Sequence, residues 1–321
     1  MGTQVASMSP IVQVICLKKV FPMKAGKTVY AVDGVSFDLN KGETLGLVGE
    51  SGSGKSTVAR CTVQLVPPTE GDVLFDGQNL VGLSEARLKS FRRQMQIIFQ
   101  DPYGSLTPRM RISSLLSEPL EVHGVGNKAQ RKEMVVNILQ KVGLKSEHMN
   151  RYPHEFSGGQ RQRISIARAL MLNPKVVIAD EPVSALDVSI RAQILNLLVD
   201  LQKDFDLSYL FVSHDLSVIK YMCERVMVMY LGRILEVAPK NILFSNYQHP
   251  YTTALISAIP VPAVREKRQR VVLQGDVPNP SKPPSGCKFH TRCQYKFDLC
   301  EKEEPLLKNI GEGHSVACHL R

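Results

Sequence analysis

A glycine-rich loop between an apolar stretch and a helical stretch is the strongest constraint on how this chain folds. Thr44–Val48 has the composition of a buried strand, and Gly49 to Thr57 follows it with the pattern G-x-x-x-x-G-K-[ST]. A helix is predicted from Lys55 to about Leu65, ended by Pro67 and Pro68. Strand, loop and helix in this order predict an α/β sheet with a phosphate-binding loop at the carboxyl end of a strand.

The residue types of this loop indicate its ligand. Its glycines let backbone N–H groups wrap a phosphate, the Lys55 ammonium can reach the β- and γ-oxygens, and the Ser56 hydroxyl can coordinate Mg²⁺. A nucleotide with Mg²⁺ is therefore the predicted ligand. The predicted binding residues of the loop are Gly49, Ser51, Gly52, Ser53, Gly54, Lys55, Ser56 and Thr57.

A second turn rich in hydrogen-bond donors lies further along the chain. Ser157, Gly158, Gly159 and Gln160 precede an apolar pattern with helical spacing. Backbone N–H groups and a hydroxyl at a helix N-terminus form a site for anionic oxygens. Since one phosphate loop is already present, the second site predicts a nucleotide that is shared between two subunits.

Two carboxylates end the buried strand that is predicted over Val176–Ala179. Asp180 is the predicted Mg²⁺ ligand, and Glu181 is placed to polarise a water molecule for attack on the γ-phosphorus. Taken alone, the pair fits a helix cap or a salt bridge equally well. The complete phosphate loop upstream favours the catalytic interpretation.

Gln100 and His214 each follow a predicted strand, Met95–Phe99 and Tyr209–Ser213 respectively. The Gln100 amide can sense Mg²⁺ and the attacking water, and the His214 imidazole can contact the γ-phosphate. Most lone Gln residues lie on the surface, and a lone His is most often structural, so these two assignments depend on position. From about residue 101 to 172 the apolar spacing is helical, which predicts a helical insert in the α/β pattern.

Composition limits the class of protein further. The net charge of +10 permits a nucleic-acid, membrane-surface or polyanionic partner, but Trp is absent and aromatic residues make up 6%, which argues against an aromatic platform for nucleic acid. No apolar run approaches the roughly 20 residues that span a bilayer, so any membrane role is expected to be peripheral. We expect no secretory signal peptide and a cytoplasmic location.

The order and spacing of these motifs resemble an ABC (ATP-binding cassette) ATPase over roughly residues 11–240. The resemblance implies an α/β P-loop NTPase with a RecA-like core, an antiparallel β subdomain and the helical insert, here assigned to residues 11–245. It implies that Gln100 is the Q-loop glutamine, Asp180 the metal-associated carboxylate, Glu181 the catalytic carboxylate and His214 the switch histidine. Phe156 stands where many cassettes have Leu.

The same resemblance implies contacts across a dimer of cassettes. Ser157 and Gly159 would reach the γ-phosphate on the opposing subunit, and Asp187 would belong to the loop that crosses the interface. Such cassettes stack adenine on an early aromatic residue. Phe21 is preferred because of its Lys18-Lys19-Val20-Phe21 setting, with Tyr30 as the alternative, and either ring could instead fill the β subdomain core.

The C-terminal part, residues 246–321, resembles the ATPases of bacterial dipeptide and oligopeptide importers, closer to their F type. The stretches that carry this resemblance are Gln248-His249-Pro250-Tyr251-Thr252, Gly275–Pro278 and Pro283–Cys287. It implies ATP-driven import of peptides, with nickel or another small solute as the alternative cargo. Prolines from Pro260 to Pro284 predict a linker in this region.

Cys287, Cys293, Cys300 and Cys318 are spaced C-x5-C-x6-C-x17-C in this tail. In a reducing cytosol a metal site is favoured over disulfides. Four thiolates can hold a [4Fe–4S] cluster or zinc, and the resemblance implies the cluster. Nearby histidines keep a mixed zinc site open, and four free thiols are the remaining alternative.

The implied partners are a second ATPase subunit (a paralogue or a copy), two transmembrane permease subunits and, indirectly, a solute-binding protein outside the membrane. No nucleic acid is expected. Rival interpretations are a nucleic-acid or ribosome-acting ABC ATPase, an exporter ATPase, and a nucleotide-binding module without turnover. A nucleic-acid or ribosome-acting ABC ATPase usually carries two cassettes or a long coiled coil, and this chain has neither pattern. The importer-like tail argues against an exporter ATPase. The presence of Glu181 and His214 argues against a module without turnover.

Overall fold

The computed structural model describes residues 10–23, 28–259 and 271–321. The chain divides into two compact units, which are treated separately below. The unit with residues 40–43 and 82–210 contains the donor-rich turn Ser157–Gln160 and is called the signature-turn unit here. The unit with the described residues of 9–39, 44–81 and 211–321 contains the glycine-rich loop Gly49–Thr57 and is called the glycine-loop unit. Pro260 and Pro262 of the predicted linker lie outside the described residues.

The glycine-loop unit contains strands from the first third of the chain and from its C-terminal part. The strands are Val12–Pro22, Thr28–Leu39, Thr44–Val48, Glu70–Phe75, Gln78–Asn79, Arg225–Tyr230, Arg233–Pro239, Lys308–Gly311 and His314–Val316. The helices are Lys55–Thr62, Leu216–Met222, Lys240–Ser245, Pro250–Ser257 and Asp298–Lys302, with a 3₁₀ turn at His290–Arg292. The strand Ser208–Ser213 includes the boundary between the two units.

An antiparallel sheet forms the early part of this unit, which confirms the predicted β subdomain. Its order places Thr28–Leu39 beside Val12–Pro22, followed by Glu70–Phe75 and Gln78–Asn79. Strand residues facing the core are β-branched or large and apolar, which suits a pleated, half-buried surface. Cys16 has a φ of 47°, and the register with both neighbouring strands shifts beside it.

A second sheet portion carries the glycine loop. Thr44–Val48 is buried along its whole length and pairs in parallel with Arg225–Tyr230. Arg233–Pro239 then pairs antiparallel with that strand, and the C-terminal hairpin Lys308–Val316 continues the sheet from there. The tail is therefore built into the sheet of this unit, beyond what the proline-rich pattern predicts.

The supposed linker is also packed against the unit. The backbone N–H of Tyr30 donates to the Pro280 carbonyl oxygen at 3.2 Å. The described part of this segment has no helix or strand, as its prolines predict, but it is docked on the antiparallel sheet. The predicted linker is thus anchored at Pro280, because a carbonyl oxygen is available for pairing even where proline removes the N–H.

The signature-turn unit is mostly helical. Its strands Met95–Ile98 and Val176–Asp180 pair in parallel. Every regular element between 101 and 172 is a helix, as the apolar spacing predicts. The helices of the unit are Glu85–Gln94, Pro102–Ser105, Ile112–Val122, Lys128–Lys141, Gly158–Leu170 and Val188–Phe205, with 3₁₀ turns at Ser146–Asn150 and Pro153–Glu155. Across the described residues of both units, no helix is long and apolar enough to cross a membrane.

Candidate functional site

The glycine loop in the glycine-loop unit is built so tightly that two of its positions exclude a side chain. A Cβ atom at Gly49 would overlap the Met229 carbonyl oxygen, and one at Gly54 would overlap that of Ala31. Gly54 also has a φ of 104°, a conformation that L-residues rarely adopt, and it precedes the helix Lys55–Thr62. The loop thus presents its backbone N–H groups at a helix N-terminus, where anions bind readily.

Lys55 is 4% exposed, and its ammonium is anchored within the loop. Nζ donates hydrogen bonds to the carbonyl oxygens of Gly49 at 2.8 Å and Glu50 at 2.9 Å. The Ser53 hydroxyl is buried and makes no hydrogen bond to the described residues. The loop backbone, which is packed too closely for side chains at Gly49 and Gly54, lies beside the buried Lys55 ammonium and the buried Ser53 hydroxyl. This combination fits a phosphate group.

Glu50, within this loop, is bonded to Tyr251 of the C-terminal extension, and neither is among the binding residues that the sequence predicts. The Glu50 backbone N–H donates to the Tyr251 Oη at 2.9 Å. Tyr251 is fully buried, and burial raises the pKa of its phenol, so the hydroxyl stays neutral. The partners lie 201 positions apart in the chain, so no local pattern reveals their contact, although Tyr251 lies in the importer-like stretch singled out above.

The second donor-rich turn, in the signature-turn unit, begins the helix Gly158–Leu170. Ser157 and Gln160 form a capping box: the Ser157 N–H donates to the Gln160 side chain at 3.0 Å, and the Ser157 Oγ accepts from the Gln160 N–H at 3.4 Å. A Cβ atom at Gly158 would lie 3.8 Å from the Leu186 side chain, whereas one at Gly159 would overlap the Ile190 side chain. Ser157 is exposed, so its hydroxyl remains able to donate outward.

Asp180 and Glu181 end the buried strand Val176–Asp180 of the same unit, as predicted. Asp180 is 2% exposed, whereas Glu181 is half-buried and has a φ of 49°. A non-glycine residue in this left-handed region costs energy and is enriched at functional sites. Gln100 Nε2 donates to Glu181 Oε2 at 3.2 Å, so the structure brings these two predicted residues together.

Asp187 and His214 flank other elements. Asp187 is the N-cap of the helix Val188–Phe205, although its side chain makes no cap hydrogen bond. His214 follows the strand Ser208–Ser213 and is exposed, and the next residue, Asp215, caps the helix Leu216–Met222 through the Ser217 N–H at 2.8 Å. Both predicted residues therefore lie at the ends of regular elements.

Phe21 and Tyr30, the two candidates for adenine stacking, lie on neighbouring strands of the antiparallel sheet. Phe21 is 37% exposed and Tyr30 is 42% exposed, which excludes the alternative that either ring fills the core. The Lys19 ammonium lies 5.0 Å from the Phe21 ring centroid. Both rings are available for a ligand, and the choice between them stays a prediction.

The four tail cysteines lie in the glycine-loop unit with their thiols free. Burial raises the pKa of the Cys287 thiol to about 11, so this thiol is protonated near neutral pH when no metal is bound. The Cys287 N–H donates to the Cys300 carbonyl oxygen at 2.9 Å. Nevertheless, the described residues contain no group of three or more His, Cys, Asp or Glu side chains arranged to hold a metal ion.

The family described as ABC transporter matches residues 32–184, and the family described as oligopeptide/dipeptide transporter, C-terminal region, matches residues 235–300. The oligopeptide transport ATP-binding protein AppF of Bacillus subtilis (strain 168) is 52% identical over 324 residues, covering 98% of each chain. The dipeptide transport ATP-binding protein DppF of Escherichia coli (strain K12) is 51% identical, covering 99% of this chain and 97% of the relative.

Two solved structures resemble the fold. One is the dimer of an ATP-binding cassette in a post-hydrolysis state bound to ADP and Pi, with 30% identity and a TM-score of 0.65 over 71% of this chain and 98% of that chain. The other is cbiO1 of Clostridium perfringens, part of the ABC transporter complex cbiONQ, with 27% identity and a TM-score of 0.65 over 74% of this chain and 91% of that chain.

Proposed function

This chain belongs to the ABC transporter family, among the oligopeptide and dipeptide transport ATP-binding proteins, and we propose that it hydrolyses ATP to power peptide import through a membrane permease. The 3.2 Å hydrogen bond between Gln100 and Glu181 carries the hydrolytic part of this proposal. We assign the ATPase domain to residues 11–245, with its helical insert at about 101–172, and the importer-type extension to 246–321.

The loop from Gly49 to Thr57 is the proposed phosphate site. Its backbone N–H groups and Lys55 bind the β- and γ-phosphate oxygens, and the tight packing at Gly49 and Gly54 keeps the loop in place. The Ser56 hydroxyl is the proposed Mg²⁺ ligand of this loop, since a hydroxyl oxygen is a ligand of the kind that Mg²⁺ prefers. Asp180 is proposed separately as a carboxylate that would bind Mg²⁺, directly or through water. Mg²⁺, when bound, neutralises charge that develops on the phosphate oxygens.

Glu181 is the proposed general base. Its carboxylate accepts a proton from a water molecule whose oxygen attacks the γ-phosphorus, while the bond to the bridging oxygen breaks and ADP leaves. The Gln100 amide holds the Glu181 carboxylate from one side. The left-handed backbone at Glu181 supports this role, because such strain is usually retained where it fixes a side chain. His214 is proposed to contact the γ-phosphate.

Replacing Glu181 with Gln tests the assignment. The amide keeps the size of the side chain but cannot accept the proton, so kcat for ATP hydrolysis should fall by about 100-fold or more while ATP still binds. Phosphate release from the purified transporter complex measures the loss. Glu301→Gln, which alters an exposed carboxylate of the extension, is the matched control and should keep wild-type turnover. Wild-type turnover in the Glu181→Gln complex would reject Glu181 as the base.

The turn Ser157–Gln160 is proposed to bind the γ-phosphate of a nucleotide held by an opposing ATPase subunit, with Asp187 at the same interface. Its exposed Ser157 hydroxyl and helix N-terminus support this role. The post-hydrolysis cassette to which this chain is similar is dimeric and bound to ADP and Pi, which supports a paired arrangement. The opposing subunit is a paralogue or a second copy of this chain.

Peptides are the proposed cargo, and the permease the membrane partner. AppF is named for oligopeptide transport and DppF for dipeptide transport, and both match this chain over almost its whole length. Two transmembrane subunits, reached by a solute-binding protein outside the membrane, complete the proposed transporter. This chain would lie on the cytoplasmic face of the membrane as a peripheral subunit.

We further propose that the four tail cysteines hold a [4Fe–4S] cluster, or zinc in its place. The 2.9 Å hydrogen bond from the Cys287 N–H to the Cys300 carbonyl oxygen brings two of these residues together and supports this proposal, although the four side chains are not arranged as a ligand group. Anaerobic purification with the permease subunits should yield iron and sulfide with visible absorption, and Cys300→Ser should lower both. Stoichiometric zinc without iron would replace the cluster with the alternative, and absence of both would reject a metal at this site.

A further inference from the structure

Glu50, in the first half of the phosphate loop, is held at each of its polar groups. Its N–H donates to Tyr251 and its carbonyl oxygen accepts from Lys55, as described above. Its carboxylate accepts two hydrogen bonds from Arg292. Nη1 donates to Oε2 at 2.7 Å, and Nη2 donates to Oε1 at 3.3 Å. Two of these three partners, Tyr251 and Arg292, come from the C-terminal extension.

The pair between Arg292 and Glu50 is well protected from water. The Arg292 side chain is 8% exposed and that of Glu50 is 27% exposed. A planar guanidinium that meets a carboxylate with two hydrogen bonds fixes orientation as well as distance, which a lysine ammonium cannot do. Removal of one partner leaves the other charge buried without compensation.

An aromatic cluster holds Arg292 in position. Arg292 ends the 3₁₀ turn His290–Arg292, and the Phe289 ring just before this turn lies 5.4 Å from both the Tyr230 and Tyr251 rings, measured between centroids. The Arg292 Cζ atom lies 6.0 Å from the Tyr230 ring centroid. The guanidinium is therefore presented to the loop by a packed turn of the extension.

We propose that Arg292 is a positioning residue for the phosphate loop, acting through Glu50, so that the segment Cys287–Cys293 of the extension sets the affinity of the nucleotide site. The loop binds phosphate with several backbone N–H groups at once, so a displacement of the loop weakens several of these hydrogen bonds together. Arg292 itself touches no nucleotide in this scheme. The inference rests on the nucleotide-binding part of the proposed function.

Paired substitutions test the inference in the assembled transporter. Arg292→Gln and Glu50→Gln each break the same interaction, so each should raise KM for ATP about tenfold with a smaller fall in kcat, the pattern of lost ground-state binding. The double variant should be no worse than either single variant, because residues that share one interaction are not additive. Arg292→Lys keeps the positive charge but cannot make the two parallel hydrogen bonds of a guanidinium. Its KM for ATP should therefore lie between those of the wild type and Arg292→Gln.

The matched control is Lys296→Gln, which breaks an exposed ion pair with Glu301 in the same extension and should keep the wild-type KM. Thermal unfolding of every variant identifies a loss of fold, and Glu50→Gln carries the test if Arg292→Gln does not fold. An unchanged KM in the Gln variants, or multiplicative effects in the double variant, would overturn the inference.

Direct titration with ATP separates this inference from the proposed function. If the wild type binds ATP but shows no hydrolysis, the proposed function fails, and a tenfold weaker Kd in Arg292→Gln still supports the positioning role. If the wild type hydrolyses ATP and Arg292→Gln has the same Kd and KM, the positioning role alone fails. Both outcomes are read from the same preparations.

Discussion

At the scale of the residue, His249 is a buried histidine that serves as a helix cap. It is 1% exposed, and its Nδ1 atom accepts the Tyr251 N–H at 3.0 Å at the start of the helix Pro250–Ser257. Its own backbone N–H donates to Glu236 at 3.0 Å. Burial lowers the pKa of His249 to about 3, so the ring is neutral in the folded protein near neutral pH.

The buried ring makes stability depend on pH. Below about pH 6.5 the unfolded chain binds a proton at His249 and the folded chain does not, so this contribution is complete above pH 6.5 and is lost as the pH falls toward 3. The expected slope is about 1.4 kcal/mol per pH unit. Asn also accepts a hydrogen bond at an N-cap, so His249→Asn removes the titration and keeps the cap.

Urea unfolding followed by circular dichroism at pH 7, 6, 5 and 4 measures this effect. The free energy of unfolding of the wild type should fall more steeply below about pH 6 than that of His249→Asn. Glu236 is present in both proteins, so the difference between the two curves isolates His249. Parallel curves would show that His249 does not titrate as its burial requires.

At the scale of the element, the helix Gly158–Leu170 combines a local stabilising motif with an exposed N-terminus. The capping box between Ser157 and Gln160 satisfies donors at that end, and a negative charge placed there would add to the stability of the helix. The same charge would repel the anionic oxygens of a nucleotide held by the opposing subunit. Stability and activity should therefore respond in opposite directions.

Gly158→Asp is the substitution that separates the two. A Cβ atom at position 158 would lie 3.8 Å from its nearest neighbour, the Leu186 side chain, so a side chain fits there. We expect unchanged or slightly higher thermal stability, ATP binding at Lys55 close to that of the wild type, and ATP hydrolysis at least about tenfold slower. Gly158→Ala controls for the loss of glycine. Hydrolysis by Gly158→Asp at the rate of Gly158→Ala would contradict the proposed role of this turn.

Elements buried on both faces were the easiest to predict. Thr44–Val48 and Val176–Asp180 are buried along their whole length and consist mostly of apolar residues. Their ends were predicted less well where the backbone departs from regular geometry. The sequence predicts that the helix after the glycine loop reaches Leu65, but it ends at Thr62, and Gln64 adopts a φ of 55°.

At the scale of the whole molecule, long-range partners account for what sequence patterns missed. The hairpin Lys308–Val316 has a first strand with all four residues exposed, so it carries no apolar alternation to reveal it. The Arg292–Glu50 pair joins positions 242 residues apart and has no local pattern. By contrast, the sequence alone selects the candidate site residues, because their motifs are local in the chain or follow a predicted strand directly. These residues are Gly49 to Thr57, Gln100, Ser157–Gln160 and Glu181.

The same hairpin has a consequence for how the protein is made. Glu236 is completely buried, and its carboxylate pairs with His314 at 2.7 Å, although 78 residues separate the two in the chain. A chain leaving the ribosome at about 5–20 residues per second therefore exposes Glu236 for several seconds before His314 emerges. During that interval the edge of the strand Arg233–Pro239 lacks its neighbour, and a growing chain in that state offers a docking edge to chaperones and to other nascent chains.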